Sequence, residues 1–454
     1  MGKHYHEDNG KCFSNPGMGW VIHHDIRSGK KDANEPDHYE NLDNVALLSW
    51  WAHLQQSEDG FTFEDLDASI AKWKGLGKKL QFRISSDPMP YDGQGMGAPD
   101  WLYEKYNIPF QAVQEDGYKT RYPDYLNPDY QKALRRFLCA LADRYGDEEA
   151  LETVDLRGYG AWGEWHSGYQ HPTYAQHAAA LRSLIDAWEY AFSGKKTLIL
   201  SCSYEWMKDR RPLLHAPKSY EEYLYWSGFD YALTKPGISF RRDGIGGAVK
   251  IWDAHLMREF YRSGKRLPMI AEYFNGYTIK NSEAGCRGYF VEDTVEEALL
   301  LHPNYMMLMW DSVAFYEERP DLIEHGLKRM GYRLLPESVE IPEVHGDEAY
   351  ITITHSWVNR GVGRFCADGH LKIRIAGQVT EEKGFDPGAL SENESKVYRT
   401  PVRVPKNLKD GVYPVEFAVC GYGGQNIRLP LDGKSEDGYY PVGNFIIAGN
   451  STGM

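Results

Sequence analysis

Residues 154–168 read VDLRGYGAWGEWHSG, and the rest of the chain is organised around this stretch. It begins as a β-strand, because apolar residues at 154 and 156 alternate with charged residues at 155 and 157. It then breaks at two glycines and enters a cluster of aromatic side chains around one acid. The cluster consists of Glu164 with Tyr159, Trp162, Trp165 and His166.

Flat aromatic faces beside a carboxyl group suit stacking on a sugar ring, and an apolar wall raises the pKa of such a carboxyl. We therefore interpret Glu164 as the acid/base end of a sugar-cleaving site. The alternative is an ordinary glycine turn, with tryptophans that belong to the core and a solvated Glu164.

Strand-like segments alternate with helical segments along the first three quarters of the chain. A helix is predicted from Asn127 to Gly146, for example, with Asn127 as its cap and Pro128 in its first turn. Eight strands counted in this way indicate a parallel sheet closed into a (β/α)₈ TIM barrel, an α/β fold. The predicted strands lie near 18–24, 45–51, 80–85, 151–157, 197–203, 229–234, 267–273 and 305–311.

Past Pro336 the pattern changes to short alternating strands separated by Gly, Asp and Pro turns. Such strands are typical of an all-β sandwich. The sequence therefore predicts a catalytic barrel over residues 1–335 and a C-terminal β-sandwich domain over residues 336–454.

Composition excludes several classes of protein. A formal charge of −14 without a basic stripe argues against nucleic acid and anionic membranes as partners. Six scattered cysteines without a CxxC pair indicate reduced, mostly buried thiols, and no run of about 18 apolar residues predicts a membrane span. We expect a cytoplasmic protein, or a secreted one if a leader has been removed. The 32 Tyr and 13 Trp fit a carbohydrate partner.

The acids at strand ends are the candidate catalytic residues, because active sites of such barrels lie at the C-terminal ends of the strands. Glu164 follows the fourth strand, and Glu272 closes the seventh after an apolar run. These strands lie across the barrel mouth from each other. The two carboxyl groups can therefore flank one glycosidic bond, with Glu164 as acid/base and Glu272 as nucleophile of a retaining glycoside hydrolase.

A nucleophilic carboxylate needs a nearby cation to lower its pKa, and Arg83 and Arg157 are candidates. Arg157 has the alternative of an ion pair with Asp155 inside the barrel. Further strand-end residues and loop aromatics complete the predicted substrate-binding set, for which no cofactor and no metal is expected. That set is Arg83, Trp101, Tyr159, Trp162, Trp165, His166, Tyr204, Glu205, Asn275, Trp310 and Asp311.

Several motifs resemble the retaining glycoside hydrolases of clan A, particularly the family 42 β-galactosidase-like barrels. The stretch Trp51–Asp67 is similar to that family's segment after strand two, and PDWL at Pro99–Leu102 is similar to its P-x-W-L after strand three. NPGMGW at 15–20, together with YGAWGEWHSG, resembles more closely an uncharacterised group of such barrels with a C-terminal β-domain. The resemblance covers about residues 15–335 and implies the same two catalytic glutamates.

One position departs from the family pattern. The clan has Asn directly before the acid/base Glu, where it hydrogen-bonds the sugar 2-hydroxyl, whereas this chain has Gly163. Either Asn275 or His166 takes that role, or the substrate differs at C2. Three other hypotheses stay open: a non-catalytic carbohydrate-binding barrel, an inverting glycosidase using the same cleft, and a scaffold protein. An exo mode of action is expected from the long loops around the site.

Overall fold

The chain forms two compact units in a computed structural model. The first comprises Trp20–Leu301 and Tyr305–Leu322, and the second comprises Met1–Gly19, His302–Asn304 and Ile323–Met454. The structure describes residues 2–27, 41–86, 97–115, 118–166, 168–203, 217–247, 251–274, 291–308, 312–345, 349–406 and 408–448.

The first unit is built on a closed barrel of eight parallel strands, whose order around the barrel follows their order in the sequence. The predicted (β/α)₈ barrel is confirmed. The strands are β1 (Gly19–Asp25), β2 (Asn44–Trp50), β3 (Lys79–Ser85), β4 (Leu151–Leu156), β5 (Thr197–Cys202), β6 (Ile238–Ile245), β7 (Ile270–Tyr273) and β8 (Tyr305–Met307).

The interior of the barrel has an apolar layer with a charged layer on the side of the strands' C-terminal ends. Buried apolar side chains from several strands pack together in one cluster, made of Val21, Ala46, Leu48, Ile199, Ile270, Tyr305 and Met307. A residue two places further along a strand points to the same side. Glu272 therefore lies on the same side of β7 as Ile270, which belongs to the apolar cluster. In the same way, Arg241 lies on the same side of β6 as the buried Ser239. The charged groups of the site therefore rest on a packed apolar floor.

Helices connect the strands, and their starts follow from local chemistry. Asn127 caps the helix Pro128–Tyr145 as predicted, because its side chain accepts hydrogen bonds from the amides of Asp129 and Tyr130. Thr173 caps the helix Tyr174–Phe192 in the same way. The described helices are Trp51–Leu54, Glu64–Gly75, Asp100–Tyr106, Pro128–Tyr145, Tyr174–Phe192, Tyr220–Ser227, Phe229–Leu233, Ile251–Arg262, Val291–Leu299, Ser312–Glu318 and Pro320–Arg329. A hairpin of Phe110–Glu115 and Tyr118–Pro123 lies between β3 and β4.

The prediction for the sixth strand is wrong. Residues 229–233 form a short helix, because Gly228 in the left-handed conformation ends one helix and a further helical turn follows it. The strand is β6 (Ile238–Ile245), in which Ile238 and Phe240 alternate with polar residues. That period-2 pattern is typical of a strand, although three charges in succession disguise it.

The second unit contains two sheets, which confirms the predicted β-sandwich type. One sheet has the order Gly2–Tyr5, Leu334–Ile341, Tyr350–Asn359 and Ser395–Arg403. The other has the order Val344–His345, Tyr440–Ala448, Gly411–Gly421, His370–Ile375 and Gln378–Glu382, with Gln425–Asn426 paired to its third strand. Trp357 from the first sheet stacks on Phe417 from the second, with ring centroids 5.9 Å apart, and both are buried.

The division between the units differs from the predicted boundary at residue 335. The strand Gly2–Tyr5 pairs antiparallel with Leu334–Ile341, so the N-terminal residues belong to the unit that holds the C-terminal sheets. Hydrogen bonding to a distant strand leaves no local sequence signal, which is why a boundary drawn along the chain cannot find it.

The described part of the chain shows neither a disulfide nor a helix that is long and apolar enough to cross a membrane. Cys202 and Cys420 are buried thiols, and Cys12, Cys139 and Cys366 are half-buried ones. The sixth, Cys286, lies outside the described residues.

Candidate active site

The loop after β4 carries Glu164 on a tight turn that depends on glycine. Gly163 has a φ of +69°, and a Cβ atom at this position would collide with the side-chain oxygen of Ser85 on β3. A left-handed backbone and a contact of this kind leave room only for glycine. The Asn of the resembled clan therefore has no space before Glu164, which explains the departure seen in the sequence.

Two aromatic residues in this loop also have left-handed backbones. Trp162 has a φ of 58° and Trp165 a φ of 69°, values that are strained for bulky side chains. The strain is held by hydrogen bonds: the amide of Trp165 donates to the carbonyl of Tyr159 at 2.9 Å, and Arg157 donates to the carbonyl of Trp162. Strained backbone held in this way is concentrated at functional sites, and here it fixes the direction of Glu164.

The structure brings the two predicted catalytic acids together. One carboxylate oxygen each of Glu164, Glu272 and Asp243 lie within 4.8 Å of one another. The Glu272 side chain is 2% exposed at the end of β7, and the Glu164 side chain is 13% exposed. Both acids face a common point at the C-terminal ends of the strands, as their positions in the sequence predict.

Arg83 on β3 connects the acids. Its Nη1 and Nη2 atoms donate to the two oxygens of Glu272 at 2.5 and 3.1 Å, and Nη2 also donates to Glu164 at 2.8 Å. Its Nε atom lies 3.2 Å from Asp155. Such a two-pronged contact fixes the orientation of a carboxylate as well as its charge. Arg83 therefore lies beside Glu272, where the sequence analysis expects a cation.

Two further guanidinium groups complete the charged layer. Arg241 on β6 binds Asp155 and lies 3.1 Å from Glu272 and 3.7 Å from Glu164. Arg157 lies 3.6 Å from Asp155, which is the ion pair offered as its alternative, and 3.4 Å from the acid Glu164. Its charge also helps to lower the pKa of Glu272, although less than those of Arg241 and Arg83. Asp155 is buried and serves as a common anchor for the three arginines.

The surroundings shift the two glutamates in opposite directions. Burial, followed by the negative charges of Asp243 and Glu272, raises the pKa of Glu164 to about 7. Burial alone would raise the pKa of Glu272 as well, but the charges of Arg241 and Arg83 hold it below its ordinary value. Two acids whose environments separate their pKa values in this way are suited to act as one proton donor and one anion.

His23 on β1 supports this arrangement as a neutral group. Burial and then the charge of Arg83 hold the pKa of His23 well below its usual range. Its Nε2 therefore accepts a hydrogen bond from Arg83 at 2.6 Å. The neighbouring His24 points to the opposite side of the strand, where it contacts Ser69 at 3.2 Å.

The predicted aromatic residues divide into two groups. Tyr159 and Trp165 are buried, and their polar atoms bond to His177 at 2.8 Å and to the carbonyl of Ser227 at 2.8 Å. The structure therefore assigns both to the core behind the site and not to a sugar-binding surface. Trp162 is half-buried, with its ring centroid 5.2 Å from that of His166.

His166 is buried and lies behind Glu164, with its Nε2 3.9 Å from an oxygen of that acid. Trp101 lies on the helix Asp100–Tyr106, and its indole donates to the carbonyl of Gln55 at 3.2 Å, which places it against the segment that follows β2. The remaining predicted residues lie outside the described part of the chain, namely Tyr204, Glu205, Asn275, Trp310 and Asp311.

Sequence reasoning missed Arg241 and Asp243, because both lie on the strand that was predicted at the wrong place. It also missed His23, which contacts Arg83. The alternation in ISFRRDGI was the available signal for the first two. The contact between His23 and Arg83 joins residues on strands that are not adjacent in the barrel, and no local pattern encodes it.

The three acids resemble a metal-ligand set in composition, since carboxylate oxygens are the ligands of Mg²⁺ and Ca²⁺. Two of the three already accept charge-assisted hydrogen bonds from Arg83, and Arg241 and Arg157 lie beside them. Guanidinium groups that occupy these carboxylate oxygens compete with a cation for them. The arrangement fits proton transfer and nucleophilic attack better than metal binding.

No family model matches the chain, and no curated protein matches it. Among solved structures, endo-glycoceramidase II from Rhodococcus sp. is 14% identical over 86% of this chain and 100% of that chain, with a TM-score of 0.39. The catalytic domain of β-amylase from Paenibacillus polymyxa is 10% identical over 59% and 85%, with a TM-score of 0.40. Endo-β-1,4-glucanase B from Bacillus halodurans is 11% identical over 95% and 77%, with a TM-score of 0.39. Likenesses this distant carry no weight for function.

Proposed function

We propose that this protein is a retaining glycoside hydrolase that cleaves a glycosidic bond in an oligosaccharide or a glycoside. Glu164 is the acid/base and Glu272 the nucleophile. The observation that carries the proposal is the pair of carboxylates within 4.8 Å of each other, one with a raised and one with a lowered pKa. Hydrolysis with retention needs one protonated and one ionised carboxyl group on either side of the same bond.

The separation of the acids supports retention over inversion. Retaining enzymes hold their carboxyl groups about 5–5.5 Å apart, whereas inverting enzymes need about 6.5–9.5 Å to admit a water molecule. Oxygens of Glu164 and Glu272 that lie within 4.8 Å of each other support the first arrangement. The convergence of the acids also disfavours a scaffold protein, because a scaffold has no need for buried acids that meet at one point.

The charges of the site support both halves of such a reaction. In the first half, Glu164 gives its proton to the leaving oxygen while the Glu272 carboxylate attacks the anomeric carbon and forms a glycosyl ester. Esterification removes the negative charge of Glu272, which is one of the causes of the raised pKa of Glu164. Glu164 thereby becomes a stronger acid and, once deprotonated, serves as the base that activates water in the second half.

Arg83 and Arg241 have defined tasks in this scheme. They keep Glu272 ionised, and the bidentate contact of Arg83 fixes the position of the attacking oxygen. Asp155 forms ion pairs with Arg83 and Arg241 and thereby fixes the positions of both guanidinium groups. The resemblance to family 42, an exo mode and a cytoplasmic location remain expectations from sequence. Residues 87–96, 204–216 and 275–290, which follow β3, β5 and β7 in the sequence, lie outside the described part of the chain.

A panel of aryl glycosides with different sugars tests the proposal. The wild-type protein is expected to hydrolyse at least one of them, and Glu164→Gln and Glu272→Gln should each lower kcat by about 10²-fold or more while ligand binding is retained. The matched control is Glu152→Gln, the same chemical change at the opposite end of β4, where Glu152 bonds to Tyr305. Binding of sugars without turnover by the wild type would instead establish a carbohydrate-binding barrel. Equal losses in all three variants would contradict the assignment of the two acids.

A further inference from the structure

A third acid, Asp243, enters the site from β6, and the reaction scheme above gives it no task. It lies two residues after Arg241, at a register shift in the pairing of β6 with β7, and its carboxylate lies beside those of Glu164 and Glu272. The hydroxyl of Ser203 donates to its carboxylate at 2.9 Å, and Ser201 contacts Ser203 at 2.9 Å. Ser201 and Ser203 are both buried, so a chain of hydrogen bonds from the wall fixes the Asp243 carboxylate.

The position of Asp243 matters because of what lies beside it. One of its oxygens is within 4.8 Å of oxygens of both Glu164 and Glu272. Three carboxylates this close repel one another strongly in a low-dielectric interior, so ionisation of one opposes ionisation of the next. The hydrogen bond from Ser203 fixes one oxygen of Asp243, and the guanidinium contacts of Arg83 and Arg241 favour the ionised form of Glu272.

Among the described residues, four acids lie beside three guanidinium groups, so one proton held by an acid balances their charge. The acids are Asp155, Glu164, Asp243 and Glu272, and the arginines are Arg83, Arg157 and Arg241. Glu164 is the acid of this group whose pKa is raised, so we place the proton there. Every described element around Glu164 takes part in this balance. The groups that face Glu164 are Arg83 from β3, Arg157 from β4, His166 from its own loop, Arg241 and Asp243 from β6, and Glu272 from β7.

We infer that Asp243 is a positioning residue for Glu164: its fixed negative charge keeps Glu164 in the protonated, proton-donating form at neutral pH. The inference rests on the proposed function, in which Glu164 is the acid. Asp243 acts through its charge on Glu164 and need not touch the sugar. Its charge also persists when Glu272 is esterified, so it continues to favour return of the proton to Glu164 in the second half of the reaction.

The test measures ionisation of Glu164 without any substrate. The protein is labelled with ¹³C at the glutamate carboxyl carbons, and the Glu164 signal is assigned by its loss in Glu164→Gln. Its chemical shift is then followed from pH 4 to pH 9 in the wild type, in Asp243→Asn and in Asp243→Ser. We expect the titration midpoint of Glu164 to fall by about one pH unit or more in both variants, which is the scale for two unit charges about 5 Å apart.

Ser203→Ala is the matched control, because it disturbs the same place in the wall but leaves the carboxylate of Asp243. It should lower the midpoint of Glu164 by much less than either Asp243 variant, because the Asp243 carboxyl group itself stays in the site. A midpoint that is unchanged in whichever of Asp243→Asn and Asp243→Ser folds, or one that falls equally in Ser203→Ala, would overturn the inference.

Because this titration needs no turnover, its result is independent of the glycoside panel. A protein without glycosidase activity that shows the fall would overturn the proposed function and leave the electrostatic role of Asp243 standing. If activity is present, the basic limb of the pH profile of kcat/KM should move to lower pH in Asp243→Asn, by the same amount as the titration midpoint.

Discussion

Replacing Glu164 by Gln should stabilise the fold at alkaline pH, although it removes the proposed acid. The pKa of Glu164 is about 7 in the folded chain against an ordinary value of 4.5. The folded state therefore favours the protonated form of Glu164. The contribution of this protonated form to stability is complete below about pH 4.5 and is lost as the pH rises through 7. A difference of about 2.5 pH units corresponds to roughly 3 kcal/mol.

The glutamine variant has no such titration. The difference in free energy of unfolding between Glu164→Gln and wild type should therefore increase in favour of the variant by roughly 3 kcal/mol between pH 4.5 and pH 8. The change with pH is the informative quantity, because any constant effect of the substitution cancels from it. Chemical denaturation followed by fluorescence at a series of pH values measures it.

Glu272→Gln supplies a control of opposite sign. The pKa of Glu272 is lowered by Arg241 and Arg83, so its ionised form stabilises the fold above its unfolded pKa, and this stabilisation is lost as the pH falls through the folded value. The variant should therefore be less stable than wild type at pH 8, and the deficit should shrink in acid. If both variants change with pH in the same direction, or if Glu164→Gln shows no change with pH, the proposed division of roles is refuted.

The effects of substitutions at Arg241, Gly163 and Ser85 are predictable from the contacts in the site, and so is the stereochemistry of the product. Arg241→Met leaves the buried carboxylates of Asp155 and Glu272 with fewer partners and should destabilise the fold by about 3–5 kcal/mol in chemical denaturation; a loss below about 1 kcal/mol would show that Arg241 is not needed there. Gly163→Ala should lower the free energy of unfolding by at least about 1–2 kcal/mol, because the backbone at 163 is left-handed and the added Cβ would collide with Ser85. Ser85→Gly should restore part of this stability when it is combined with Gly163→Ala, but should not stabilise the protein as a single substitution. The first product of a hydrolysed glycoside, observed by ¹H NMR before mutarotation, should keep the anomeric configuration of the substrate, and the opposite anomer would establish an inverting enzyme.

The barrel could be predicted from the sequence because its strands are short apolar runs between helices with clear starts. β3 and β4 begin within one residue of their predicted positions. β6 could not be placed by hydrophobicity, because three charged residues in succession, Arg241, Arg242 and Asp243, lie within the strand itself. A site that recruits charged residues from a strand hides that strand from a search for apolar runs.

The two acids of the candidate site were predictable from the sequence, whereas the roles of the residues around them were not. Glu164 and Glu272 follow from the rule that barrel active sites lie at the C-terminal ends of strands. The roles of Tyr159 and Trp165 did not follow, because the same aromatic residues serve a core or a sugar-binding surface, and only their contacts with His177 and Ser227 decide. The glycine requirement at 163 likewise depends on Ser85, a contact between two strands that no local pattern shows.

The most direct measurement is identification of the residue that becomes attached to the sugar. A 2-deoxy-2-fluoro glycoside with a good leaving group, matched to the sugar found in the glycoside panel, should inactivate the protein and add the mass of one glycosyl group. Peptide mass spectrometry should place that group on Glu272. Attachment to Asp243 or Glu164, or turnover of the parent glycoside without any trapped ester, would contradict the account.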